Sequence, residues 1–258
     1  MLSLCLAMVA LPSLLTSWKM WYTMAVVQGA TLFMHWDNAD NHEYLFAYGC
    51  LALASTYSLP VHQQKRALAI SAKLLIGLCM AFAAYWKLST DSYRDSSFFH
   101  YFLLADDRFS HVTQVLGSIS SQLLSDNRRL GRLLMNGYLR GIEISSVSLS
   151  DAPQIRVLAQ FLTWWTVLIE GILAIVFLLP NCRILSVTRN CLLLFFAGST
   201  YAVANVVLFG WILMVLGLAQ CSDDEKGFQF SYIAAFLLIQ AYAIPYPQIL
   251  NELARLIG

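Results

Sequence analysis

"RALAISAKLLIGLCMAFAAYWKL", residues 66–88, is the stretch whose reading decides the fold. A membrane-crossing helix needs about 20 mostly apolar residues. This run meets that length with charges only at Arg66, Lys73 and Lys87. It therefore predicts a span that ends in Tyr85-Trp86-Lys87, an aromatic pair followed by a cation. The same test applied outward predicts further spans at 1–17, 20–36, 43–59, 156–179, 190–220 and 228–250. The expectation is an all-α, polytopic integral membrane bundle of about seven helices, a single transmembrane domain over residues 1–258. Two details qualify it. The first two spans are short and separated only by Trp18-Lys19. The run from Ile184 to Gln220 is long for one span, so a bend or a break is expected near Gly198 or Asn205.

Composition agrees with a membrane class. The chain is 59% hydrophobic and 12% charged, against about 45–50% and about 25% in soluble domains. Mean hydropathy is +0.62. The net charge of +1 gives no basic field for nucleic acid. The N-terminal "MLSLCLAMVALPSLL" is apolar from its start and has no basic n-region, which predicts a first membrane helix rather than a cleaved signal. Cysteines stand at positions 5, 50, 79, 182, 191 and 221 without CxxC or metal spacing, so neither a disulfide framework nor a metal centre is expected.

Segment 89–155 has a different character. It holds six arginines, Arg94, Arg108, Arg128, Arg129, Arg132 and Arg140, together with Asp91, Asp95, Asp106, Asp107 and Asp126. Val112, Val115, Leu116, Ile119 and Leu123 fall at helical spacing, as do Leu130, Leu133, Leu134 and Tyr138. Such stripes suit either amphipathic helices in the headgroup region or helices packed on the bundle or on a partner.

Loop charge sets the sidedness. With seven spans, one side carries Lys19, Lys65, Arg66, Arg183, Arg189 and Arg255, and short basic loops face the cytoplasm. The N-terminus, the acidic loop 37–43 and segment 89–155 are then expected on the non-cytoplasmic side. That places the start of the third span and the end of the fourth on one face.

Both ends carry polar residues. "WDNADNHEYLF", residues 36–46, brings Asn41, His42 and Tyr44 to the start of the third span. Asn38 and Asn41 suit the capping of that helix. His42 is either a solvated helix-start residue or a hydrogen-bond donor to a developing oxyanion. Lys87 is either an interfacial lysine snorkelling beside Trp86 or a desolvated amine able to act as a general base. Glu170 lies deep within "FLTWWTVLIEGILAIVFLLP", where an acid needs an inward face and a partner, a lysine or histidine, or a proton of its own. Lys73 sits nearer the basic side, where snorkelling is the simpler account. No phosphate loop, nucleophile elbow or HExxH occurs.

The segment "WDNADNHEYLFAYGCLALA" resembles the Asn-His-x-Tyr-Leu motif of the horizontally transferred transmembrane (HTTM) family, to which the membrane core of vitamin K-dependent gamma-carboxylase belongs. Asn41, His42, Tyr44 and Leu45 match it. "LCMAFAAYWKLSTDSYRDSSFFHYFLL" looks like the family's apolar helix ending in Lys-Leu, and "LIEGILAIVFLLPNCRILSVTRNCLLLFF" like its acid-bearing helix and basic loop. The resemblance implies catalytic roles for Lys87, as base, and His42, as electrostatic assistant. Asn41, Tyr44, Trp86 and Glu170 would be the binding residues around them. It implies a quinone/quinol- or lipid-like ligand, held on the non-cytoplasmic side. The family's Phe-His pair appears here as Phe196-Ala197, and no large lumenal region follows the core, so glutamate carboxylation itself is not expected. The rival expectation is a non-catalytic subunit that scaffolds a larger complex, with membrane lipids and other membrane subunits as partners. A transporter ranks third, since no inverted repeat is found.

Overall fold

The computed structural model describes residues 11–36, 40–139, 148–180, 182–204 and 206–244. Among these every regular element is helical. In chain order they are α1 (Trp18–Met34), α2 (Asn41–Tyr57), α3 (Val61–Ser89), α4 (Asp91–Arg94), α5 (Ser97–Ala105), α6 (Ser110–Gly117), α7 (Ser121–Leu139), α8 (Pro153–Leu178), α9 (Arg183–Val203), α10 (Val207–Gln220) and α11 (Lys226–Ala243). The chain divides into two compact units. Unit 1 comprises residues 1–79, 176–194 and 207–258, and unit 2 comprises 80–175 and 195–206.

Among the described residues two helices, α3 and α8, are long and apolar enough to cross a membrane. Their surfaces explain why. Along α3, Ala72, Ile76, Met80 and Ala84 are buried, while Ile70, Leu74, Leu78, Phe82 and Tyr85 are exposed. Along α8, Ile155, Ala159, Leu162, Ile169 and Leu173 are buried, while Val157, Phe161, Trp164, Leu168, Ile172 and Ile175 are exposed. Steps of three and four residues put each set on one helical face. Both helices are thus apolar on the packed face and again on the open one. Soluble proteins rarely expose continuous apolar stripes of this kind.

The other expected spans are carried by shorter pieces. The helices α1 and α2 have 17 residues each, about 26 Å of axis at 1.5 Å per residue, against a hydrocarbon thickness of about 30 Å. The long run 184–220 is two helices, α9 and α10, with the break at 204–206. The expected first span is corrected in its described part, because Pro12–Thr16 is a 3₁₀ turn rather than α-helix. Residues 1–10 and Asn38 lie outside the described residues, as does 245–250 of the last span.

In unit 1, α1 and α2 pack through Met24, Ala25 and Cys50, flanked by Trp21 and Phe46. The helices α10 and α11 meet where the ring of Tyr232 lies on Gly217, so close that a Cβ at 217 would stand 2.4 Å from it. No disulfide joins the described cysteines.

In unit 2, segment 89–155 folds around a core of its own. Phe99, Leu103, Leu104, Phe109, Val112, Ile119 and Leu124 pack with Ile155, Ala159 and Leu162 of α8. The stripe expected to run through Val112–Leu123 is therefore not one surface. Ser118 takes a left-handed φ of 55° and separates α6 from α7. Val112 and Ile119 turn inward, while Val115, Leu116 and Leu123 stay exposed. Asn127, fully buried, donates from Nδ2 to the Ser150 carbonyl (2.9 Å) and accepts at Oδ1 from the Ser150 N–H (2.8 Å). This clamp ties α7 to the turn that starts α8, and so fixes the helix that carries Glu170.

Candidate functional site

Unit 2 holds a buried ion pair. Lys87 continues the inward stripe of α3, three residues beyond Ala84. Glu170 lies on the inward face of α8 between Ile169 and Leu173. The Lys87 ammonium donates to Glu170 Oε1, and the two side chains are 13% and 9% exposed. The Lys87 Nζ also stands 6.0 Å from the centroid of the Tyr93 ring, within cation–π range. The second carboxylate oxygen, Glu170 Oε2, is buried with no hydrogen-bond partner among the described residues, as is Thr163 Oγ1, two turns earlier on α8. An ion pair held among apolar helices can use a neutral donor or acceptor at each open position, because an unmet one is costly there.

The remaining expected site residues fall elsewhere. His42 belongs to unit 1. It is half-buried on the first turn of α2, with Nδ1 3.9 Å from Asp40 Oδ2. Asn41 and Tyr44 are exposed. The N-cap position is Asp40, whose side chain makes no capping hydrogen bond, and Asn41 is the first helical residue. Trp86 is 61% exposed and points away from the inward stripe that carries Lys87.

A second polar centre lies in unit 1. Asn190 of α9 is fully buried. Its Oδ1 accepts from Gln220 Nε2 (2.5 Å), Tyr232 Oη (2.9 Å) and Cys221 Sγ (3.6 Å), and its Nδ2 donates to Glu225 Oε1 at 3.2 Å. Glu225 also accepts from Ser186 Oγ at 2.5 Å and, through Oε2, from the N–H and Oγ of Ser222, each at 2.9 Å. Burial pushes the Glu225 carboxyl up, but the hydrogen bonds from Ser186 and Ser222 outweigh it and hold it below the usual carboxylate range. Burial pushes the Cys221 thiol up to about 12, so it stays a thiol and serves as a weak donor. The network joins α9, the end of α10 and α11, and leaves its carboxylate fully occupied.

Around Asp151 in unit 2 the logic is similar. Its Oδ2 lies 3.1 Å from His100 Nε2 and 3.3 Å from Arg156 Nε. Burial raises that carboxyl, and His100, the Ala152 N–H and Arg156 together bring it below its ordinary value.

Unit 1 also contains two cavities. One, of about 330 Å³, has an apolar lining that includes Trp21, Phe46, Leu53, Ala72, Trp211 and Leu216. The other, of about 1050 Å³, is lined by charged, hydroxyl and apolar side chains together and lies beside the Glu225 network. Neither is lined by His42, Lys87 or Glu170. Among the described residues no three His, Cys, Asp or Glu side chains converge as a metal site. No known protein family, curated protein or solved structure matches the chain.

Sequence reasoning singled out Lys87 as the cation that ends an apolar run and Glu170 from its depth in one. It missed the Asn190 network. One signal was available, an amide beside Arg189 at the entrance to the apolar run "CLLLFF", where a buried amide needs partners on a neighbouring helix.

Proposed function

We propose that the chain is a polytopic, HTTM-like membrane protein whose Lys87–Glu170 pair binds, or acts on, a quinone- or lipid-like molecule. The observation that carries this reading is the ion pair itself, sunk in the inward stripes of two helices whose outer faces are apolar, with Glu170 Oε2 open. A hydroxyl of an apolar ligand fits that oxygen. In this reading Lys87 passes its proton to Glu170 and then takes the proton of a weakly acidic ligand hydroxyl, which leaves an anion beside the new ammonium. His42 is assigned the assisting role that the family resemblance implies, and its own variant tests it.

In this reading the spans 20–36, 43–59, 66–88, 156–179, 190–220 and 228–250 run along α1, α2, α3, α8, α9–α10 and α11. A first span would make seven. The basic loops face the cytoplasm. Cys182, exposed in the turn between α8 and α9, then labels with a membrane-impermeant maleimide only after cells are permeabilised. Labelling in intact cells would reverse the topology.

The binding test uses the purified full chain in detergent, with decylubiquinone quenching of tryptophan fluorescence as readout. Saturable quenching is expected, weakened at least about tenfold by Lys87→Met and by Glu170→Gln, and more mildly by His42→Ala. Absent or linear quenching in the parent protein, or equal affinity in Lys87→Met, defeats the reading.

A second reading, a non-catalytic subunit of a larger complex, draws on Val115, Leu116, Leu123 and Leu133. These stay exposed on a segment that already has its own core. Co-purified partners whose activity survives Lys87→Ala would favour it.

A further inference from the structure

The larger cavity of unit 1 has a charge pattern that the Lys87–Glu170 reading does not use. Three cations line it, Arg66 and Lys73 from α3 and Arg189 from α9, together with the hydroxyl residues Ser186, Ser222 and Ser231. Arg189 is the unusual member. It is 2% exposed, yet Nη1 has no acceptor among the described residues, while Nε donates to the Leu185 carbonyl at 3.1 Å. A guanidinium carries five donors in a planar fork and keeps its charge. Burying one with an open N–H is costly unless an acceptor arrives.

Glu225, an acid of the cavity wall, does not remove that need. Both oxygens of Glu225 are occupied by Ser186, Asn190 and Ser222. Its charge acts on Arg189 from beyond ion-pair distance. Asp223, next in the chain, is engaged by Lys65. Arg189 in turn acts on Lys73 as a like charge. A tetrahedral oxyanion offers acceptors to the open guanidinium N–H and to a second cation beside it.

We infer that this cavity binds a phosphate-type oxyanion, seated on Arg189 and Lys73 with Arg66 at its edge. The anion is either a lipid headgroup or a soluble phosphate. This site is separate from the Lys87–Glu170 pair, and neither proposal depends on the other.

The test measures thermal unfolding of the full-length protein in neutral detergent at matched ionic strength. The three additions are inorganic phosphate, mixed micelles with phosphatidylglycerol, and mixed micelles with phosphatidylcholine. A saturable rise in Tm with phosphatidylglycerol but not phosphatidylcholine or phosphate assigns a lipid headgroup. A rise with inorganic phosphate as well assigns the free oxyanion. Lys73→Gln and Arg66→Gln, both away from the buried core, are expected to weaken the effective concentration about tenfold and severalfold. Lys19→Gln, an exposed cation outside the cavity, leaves it unchanged. Arg189→Lys should abolish saturation if it folds. No rise with either anion, or a loss in Lys19→Gln equal to that in Lys73→Gln, overturns the inference.

Discussion

Two buried polar centres, the Asn190 network in unit 1 and the Lys87–Glu170 pair in unit 2, handle polarity in opposite ways. Unit 1 buries an amide, Asn190, and surrounds it with neutral donors and one carboxylate whose oxygens are all engaged. Unit 2 buries a bare ion pair in an apolar setting and leaves one carboxylate oxygen open. A fully satisfied network rigidifies its surroundings and has little left to offer a ligand. An ion pair with an unpartnered carboxylate oxygen is poorly compensated and gains from a hydroxyl donor there. The same physics makes one region a joint and the other a candidate working centre.

The contrast breaks first at the ion pair. Lys87→Met or Glu170→Met alone strands a buried charge and is expected to cost about 3–5 kcal/mol. The apolar double variant Lys87→Met/Glu170→Met is expected to recover most of it, because replacing both partners removes the stranded charge. Thermal unfolding of the four proteins gives the coupling directly. Additive losses would show that the pair is not a unit.

Next comes Asn190. Asn190→Ala leaves Tyr232 Oη and Gln220 Nε2 without their acceptor, and about 2–4 kcal/mol of destabilisation is expected. Hydrogen exchange should quicken in α9, α10 and α11 while the unit 2 core around Phe99 and Leu103 keeps its protection. A uniform loss of protection would contradict the local role.

Gly217→Ala sharpens the picture of the same joint. A helical Gly→Ala change ordinarily gains about 1 kcal/mol. Here the new methyl meets the ring of Tyr232, which is buried and tied to Asn190. The clash is expected to win, with a net loss of about 1–2 kcal/mol. A raised Tm would show that the ring moves freely and that the network does not hold it.

The smallest effect is a pH dependence. The folded Glu225 carboxyl lies below its ordinary value, so in the unfolded chain it binds a proton more readily. Its contribution to stability is present above the unfolded carboxyl pKa of about 4.3 and is lost as pH falls through the lower folded value. Melting curves from about pH 6 to about pH 3 should show this loss in the parent protein and a flatter profile in Glu225→Gln. Parallel curves would remove Glu225 from the network.

How much of this was legible follows from particular residues. The helices α3 and α8 were readable because their apolar runs exceed the bilayer thickness, and the break between α9 and α10 because the run from Ile184 was too long for one span. Lys87 stood out as the cation that ends an apolar run and Glu170 as a charge within one, yet helical periodicity cannot join residues 83 positions apart. Segment 89–155 was misread in part because Val112, Val115, Leu116 and Ile119 share a spacing that a continuous helix would keep. The left-handed turn at Ser118 destroys that continuity, and serine carries no strong signal for it. Nothing local to Glu225 announces that its loop folds back to reach Asn190 and Ser186.

The separation between Lys87 and Glu170 also has a consequence in time. Synthesis proceeds at about 5–20 residues per second, so an acid made 83 residues after its lysine follows it by roughly 4–17 seconds. During that interval the Lys87 ammonium is without Glu170, so the ion pair is a late contact that forms only after segment 89–155 has been made.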